Sequence, residues 1–239
     1  MNIEEFSNEF DTLFNAYSKN YEVKFGDSYD ELDEYEKSVY LTKSQEEVVR
    51  EIYSGKNLYY EGFESTEEVR RYLAPLVITK LLTDKIDGYV GLSNSSVFFA
   101  LPEDIWFITY ESVILDDENA GCHNGEEILV TPVTQDEYSR ISGNPFRGPS
   151  FRRALRLDIE NGIVEIVSDY TISSYKVRYL AKPHPIILED LPDNLSINDE
   201  TSMRGCDLNP AIHRVILERA VKLAIISKTQ TSGANKESV

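Results

Sequence analysis

Arg153-Ala154-Leu155-Arg156-Leu157-Asp158-Ile159-Glu160-Asn161-Gly162-Ile163-Val164-Glu165-Ile166-Val167 places two runs rich in Leu, Ile and Val on either side of a central Asn161-Gly162 pair. A two-residue Asn-Gly loop supplies the positive φ angles of a type I′ turn, so the stretch predicts a β-hairpin. The two-residue loop sets a register in which Glu160 faces Ile163, Ile159 faces Val164 and Leu157 faces Ile166. Leu155, Leu157, Ile159, Val164 and Ile166 then share a buried side, with Asp158 opposite Glu165 on the outer one. Facing carboxylates require a cation, and the run 174–180 offers Lys176 and Arg178 between Tyr175, Val177 and Tyr179.

Outward from the hairpin the texture stays β-rich back to Gly91. Residues 106–115 and 126–133 are dense in β-branched and aromatic side chains and read as strands. Thr134-Gln135-Asp136-Glu137 is a capping box for a short helix that Gly143-Asn144-Pro145 stops. Pro183-His184-Pro185 must run extended.

Before and after this region the period is helical. Phe6, Phe10, Leu13, Phe14 and Tyr17 make an aromatic face, and a second helix is expected over 42–53. Ser65-Thr66-Glu67-Glu68 caps a third, with Val69, Tyr72, Leu73, Leu76, Val77 and Lys80 in helical phase and a kink expected at Pro75. A last helix is expected over 209–227, where Ile212, Val215, Ile216, Leu217, Val221, Leu223 and Ile225 exceed one core contact and Arg214, Glu218 and Lys222 form its polar row. The polar tail 228–239 is expected to be disordered. These readings give an α+β fold: a helical bundle of N-terminal helices plus a C-terminal helix, with an inserted antiparallel β-domain. Its expected spans are 1–90, 91–207, 208–228 and 229–239.

The 239-residue chain has 41 % hydrophobic and 28 % charged residues, a globular balance, and a net charge of -18. Such acidity disfavours a surface that grips nucleic acid by neutralising phosphates. No run approaches the ~20 apolar residues of a membrane span, and Met1-Asn2-Ile3-Glu4-Glu5 lacks a basic secretory start, so synthesis in a cytoplasm is expected. Cys122 and Cys206 are expected reduced and unbridged.

The residues offer no convincing catalytic constellation, and neither a metal nor a cofactor is expected. His123, His184 and His213 lack metal-ligand spacing, and Gly121-Cys122-His123-Asn124-Gly125 reads as a tight turn rather than a thiol beside its base. One basic cluster stands out: Arg147, Arg152, Arg153 and Arg156, beside Asn144-Pro145-Phe146. It suits contact with the acidic face of a neighbouring copy, contact with DNA, or a solvated loop.

Several phrases resemble one family of crAss-like phage structural proteins: Glu36-Lys37-Ser38-Val39-Tyr40-Leu41-Thr42-Lys43, Leu101-Pro102-Glu103-Asp104-Ile105-Trp106-Phe107, and Asn144-Pro145-Phe146-Arg147-Gly148-Pro149. Tyr179-Leu180-Ala181-Lys182-Pro183-His184-Pro185-Ile186-Ile187-Leu188 and Leu208-Asn209-Pro210-Ala211-Ile212-His213-Arg214 extend the resemblance over nearly the whole chain. It implies a non-enzymatic virion protein of the portal vertex, with an adaptor-like fold, in a homo-oligomeric ring that is twelvefold by analogy. Portal and neighbouring ring or tail proteins are its implied partners, and genomic DNA passes through a lumen whose carboxylates repel phosphate. Arg147, Arg152, Arg153, Arg156, Arg214, Glu218 and Lys222 are the candidate inter-subunit contacts. The alternative is a DNA-packaging or terminator module that meets DNA through the arginine cluster.

Overall fold

The computed structural model describes residues 1–20, 32–56, 66–160, 162–192 and 194–234. In chain order the elements are α1 (Ile3–Asn20), α2 (Glu34–Ser54), α3 (Glu67–Leu73), β1 (Val77–Leu82), β2 (Ser96–Ala100), β3 (Ile105–Leu115), β4 (Glu127–Pro132), α4 (Gln135–Ile141), β5 (Arg153–Glu160), β6 (Ile163–Val167), β7 (Ile172–Ala181) and α5 (His213–Ala234). They form two compact units, Met1–Leu76 with Pro183–Val239, and Val77–Lys182. The boundaries lie before Val77 and after Lys182, rather than near 90 and 207. Pro75 ends the third helix instead of kinking it, because its ring denies the next turn a donor, and the chain then enters edge strand β1.

In the helical unit, Phe6, Phe10 and Phe14 are buried on α1 as their spacing predicts. Helix α2 starts earlier than the expected 42–53, because Asp33 caps it by accepting from the Glu36 backbone N–H at 2.7 Å. That Asp-x-x-Glu box lies within an acidic run whose bulk reads as solvated surface. Helix α5 packs on both α1 and α2, and Ile216, Leu217, Ala220, Val221 and Ala224 are buried. The apolar surplus expected on this helix is thus mostly consumed inside the unit, leaving Val215 and Ile226 exposed. The helix also continues to Ala234, beyond the expected 227. Once nucleated, a helix propagates cheaply through residues with no strong breaker before Gly233.

A row of polar side chains on α2 holds the extended segment that follows Lys182. Thr42 accepts from the Ile186 N–H at 3.1 Å, Ser38 accepts from the Leu188 N–H at 3.0 Å, and the Gln45 amide donates to the His184 carbonyl at 2.7 Å. Ser44 donates to the Ile216 carbonyl on α5 at 2.7 Å. Pro183 and Pro185 keep the segment extended, so its backbone groups seek partners outside regular structure.

The other unit is one curled seven-stranded sheet in the order β1-β7-β3-β4-β5-β6-β2. Its pairs are antiparallel except β4 with β5, which are parallel and joined through α4, a departure from the all-antiparallel expectation. Phe99, Val113, Ile166, Tyr175 and Val177 belong to the main core, while Leu155, Leu157 and Val167 pack with Ile141 of α4 in another cluster.

The β5–β6 hairpin forms, but its expected register fails. Glu160 does pair with Ile163, after which an irregularity between Asp158 and Glu160 pairs Asp158 with Val164, Leu157 with Glu165 and Arg156 with Ile166. One extra residue on β5 reverses the sides of everything before it, as a β-bulge must. Leu157 and Ile166 therefore lie in different clusters. Glu165 is buried instead of solvated, accepting from the Leu92 N–H at 2.7 Å and from the Ser96 hydroxyl. Asn161 lies outside the described residues; Gly162 has φ +77°, as the turn requires.

Candidate inter-subunit contact site

The loop between α4 and β5 presents the basic cluster on a rigid support. Asn144 Oδ1 accepts from the backbone N–H groups of Phe146 and Arg147 at 2.8 and 3.2 Å, and its carbonyl accepts from Gly148 at 2.7 Å. A Cβ on Gly148 would lie 2.7 Å from the Ser142 carbonyl oxygen and 2.8 Å from that of Asn144, so the close return of the chain requires glycine. Arg153 donates from Nη1 to the Phe146 carbonyl at 2.9 Å, tying the loop tip to the start of β5. The result is a turn with Phe146 87 % exposed at its tip.

The four arginines do not form one patch. Arg147 and Arg152 are exposed, with Arg152 over the Phe151 ring, whereas Arg153 serves the loop. Arg156, its side chain only 11 % exposed, lies 3.1 Å from Glu111 and 3.1 Å from Asp158. Tyr175 donates its hydroxyl to Glu111 at 2.5 Å. Burial pushes the Glu111 carboxyl above its ordinary range, with Arg156 and Tyr175 opposing that shift. Lys176 and Arg178, expected to neutralise the hairpin carboxylates, instead meet Glu127 at 2.8 Å and the Thr79 hydroxyl at 3.1 Å.

On α5, Arg214 pairs with Glu218 at 3.3 Å and Lys222 is exposed one turn on. Arg219, absent from the expected row, bridges to Glu51 of α2 at 2.7 Å. His123 turns Nδ1 toward Glu126 at 2.8 Å and stacks on Phe151. His184 meets Glu200 at 2.6 Å, and buried His213 faces the Leu208 carbonyl at 2.9 Å. Both cysteines are free, and burial raises the Cys206 thiol to about 11, which keeps it protonated. Among the described residues, no helix is long and apolar enough to cross a membrane.

Sequence reasoning missed Phe146 as a feature in its own right. The available signal was an aromatic in a Pro- and Gly-punctuated turn, outside any hydrophobic period. It also missed a groove of about 730 Å³ in the helical unit, lined by Asn2 and residues of α1, by Glu34 of α2, and by Leu188, Glu189 and Met203. Its walls come from segments far apart in sequence.

Comparison with known proteins decides the family. A model described as phage tail ring protein 3/4 matches residues 1–236. The chain belongs to this family. It is 51 % identical to "Ring protein 3" of Bacteroides phage crAss001 over 238 residues, covering 99 % of this chain and 100 % of that protein. It is also 33 % identical to "Ring protein 4/5" of the same phage over 234 residues, covering 94 % and 92 % respectively. The resemblance to crAss-like phage ring and tail structural proteins holds across both compact units.

Proposed function

We propose that this chain is a structural subunit of a homo-oligomeric ring at the portal vertex of a crAss-like phage virion, in the position that ring protein 3 holds in its own phage. The carrying observation is the match to that protein from end to end, at 51 % identity against 33 % for ring protein 4/5. A shared single domain would support only a common fold; agreement through both units supports a common assembly role. The helices and sheet then make an adaptor-like subunit without enzymatic duty, and the ring is twelvefold. It joins portal to tail, and the charge of -18 lets DNA pass a lumen without being held.

Arg147 and Arg152 on the loop, and Arg214, Glu218 and Lys222 on α5, are the inter-subunit contacts of this reading. Arg153 and Arg156 act within the subunit. Imaging of the purified protein, alone and with its portal and neighbouring ring proteins, tests the assignment. Closed rings on the portal are expected; persistent monomers in every mixture would overturn it, and salt-dependent retention of DNA would favour a packaging module instead.

A further inference from the structure

The chain carries two surfaces that complement each other. One is the loop between α4 and β5, with Phe146 87 % exposed at its tip and Arg147 and Arg152 exposed further along it. The other is the groove of about 730 Å³ in the helical unit, where Ile3, Leu188 and Met203 provide apolar lining and Glu4, Asn8 and Glu189 stand at its exposed rim. Among the described residues, neither Glu4 nor Glu189 has an ion-pair partner, and neither Arg147 nor Arg152 does. We propose that Phe146 of one copy seats in this groove of a second copy, with Arg147 and Arg152 meeting the Glu4 and Glu189 carboxylates.

The chemistry favours a second copy over other occupants. The groove has the size of pockets that enclose small ligands, roughly 300–1,000 Å³, which accommodates one aromatic side chain. An exposed aromatic with arginines on the same loop is the composition of an interface anchor, and burying a phenylalanine removes about 150–250 Å² from water. The loop is already held by Asn144, Gly148 and Arg153, so little conformational freedom is lost on docking. In a chain of net charge -18, two arginines without an ion-pair partner on one loop also offset the repulsion between copies. Because knob and groove are different patches, the contact is heterologous, the type that closes into a ring when the rotation permits. The inference rests on the ring reading above and identifies the surfaces that would build it.

The test uses the full chain in the mixture where wild type forms rings, followed by imaging and by particle mass over a concentration series. Phe146→Ala should raise the concentration for half-assembly about tenfold or more without moving the monomer's thermal midpoint, since the side chain is solvated in the monomer. Arg147→Glu with Arg152→Glu, and separately Glu4→Arg with Glu189→Arg, should each do the same. Combining all four reversals in one chain should recover assembly. Reversals that assemble like wild type, or a fourfold variant that stays as impaired as its parents, would overturn the pairing while wild-type rings leave the broader reading intact. Absence of wild-type rings in any mixture would instead remove the ring reading, and this contact with it.

Discussion

In the sheet unit one buried ion pair, Glu111 with Arg156, crosses from β3 to β5 with the Tyr175 hydroxyl of β7 on the same carboxylate and Asp158 at the edge of the network. In the helical unit the buried polar row of α2, from Ser38 to Gln45, instead answers backbone groups of 184–188 and of α5. The first arrangement depends on protonation, because removing one charge strands another in a low-dielectric core. The second depends on chain path: neutral hydroxyls and an amide pin a segment that arrives more than a hundred residues after the helix that holds it. Ion pairs therefore set the sheet unit's response to pH, and hydrogen bonds to an irregular segment set the helical unit's response to substitution.

The largest break in this contrast is expected from Arg156→Met. It leaves Glu111 buried without its cation, at a cost of about 3–5 kcal/mol in chemical denaturation near neutral pH. Burial already raises the Glu111 carboxyl above its ordinary 4.5. A raised acid contributes stability that is fully present below the unfolded value and is lost as pH rises through the folded value. The deficit of the variant should accordingly shrink from pH 8 to pH 5. A deficit that is the same at both would mean that Glu111 does not titrate with the fold.

Thr42→Val probes the helical unit. It removes the acceptor of the Ile186 N–H and leaves that buried donor unsatisfied, for an expected loss of about 1–3 kcal/mol. Because no charge is involved, urea midpoints should fall equally at pH 5 and pH 8. A pH-dependent loss would erase the distinction between the units.

Lys37 sharpens the comparison because it is a buried charge within the helical unit, 2.8 Å from both Asp11 and Glu34. Burial depresses its ammonium, but the hydrogen bonds and charges of Asp11 and Glu34 outweigh that and raise it overall. Its contribution is present below the free-lysine value of 10.5 and is lost as pH climbs through the higher folded value. Lys37→Met should change stability by only ~1 kcal/mol at pH 7, since its acidic partners are partly solvated. The variant should also escape the part of the alkaline destabilisation, followed by thermal midpoints from pH 8 to pH 11, that this group causes in wild type.

What the sequence determined by itself was local. The aromatic stripe of α1, the Thr66 cap accepting from the Val69 N–H at 3.2 Å, the Gly143-Asn144-Pro145 stop and the Asn209-Pro210 helix entry all act within a few residues, so their physics is complete in the chain itself. The strand texture after Gly91 was legible for the same reason. Only the tertiary structure decided the side of each β5 residue, since the irregularity near Ile159 is invisible to an alternating pattern yet reverses it. It turned Arg156 inward to a glutamate 45 positions earlier, where the sequence offered four equivalent arginines. It also assembled the groove from Ile3, Leu188 and Met203, because burial depends on which distant segments arrive together, and no local period records their arrival.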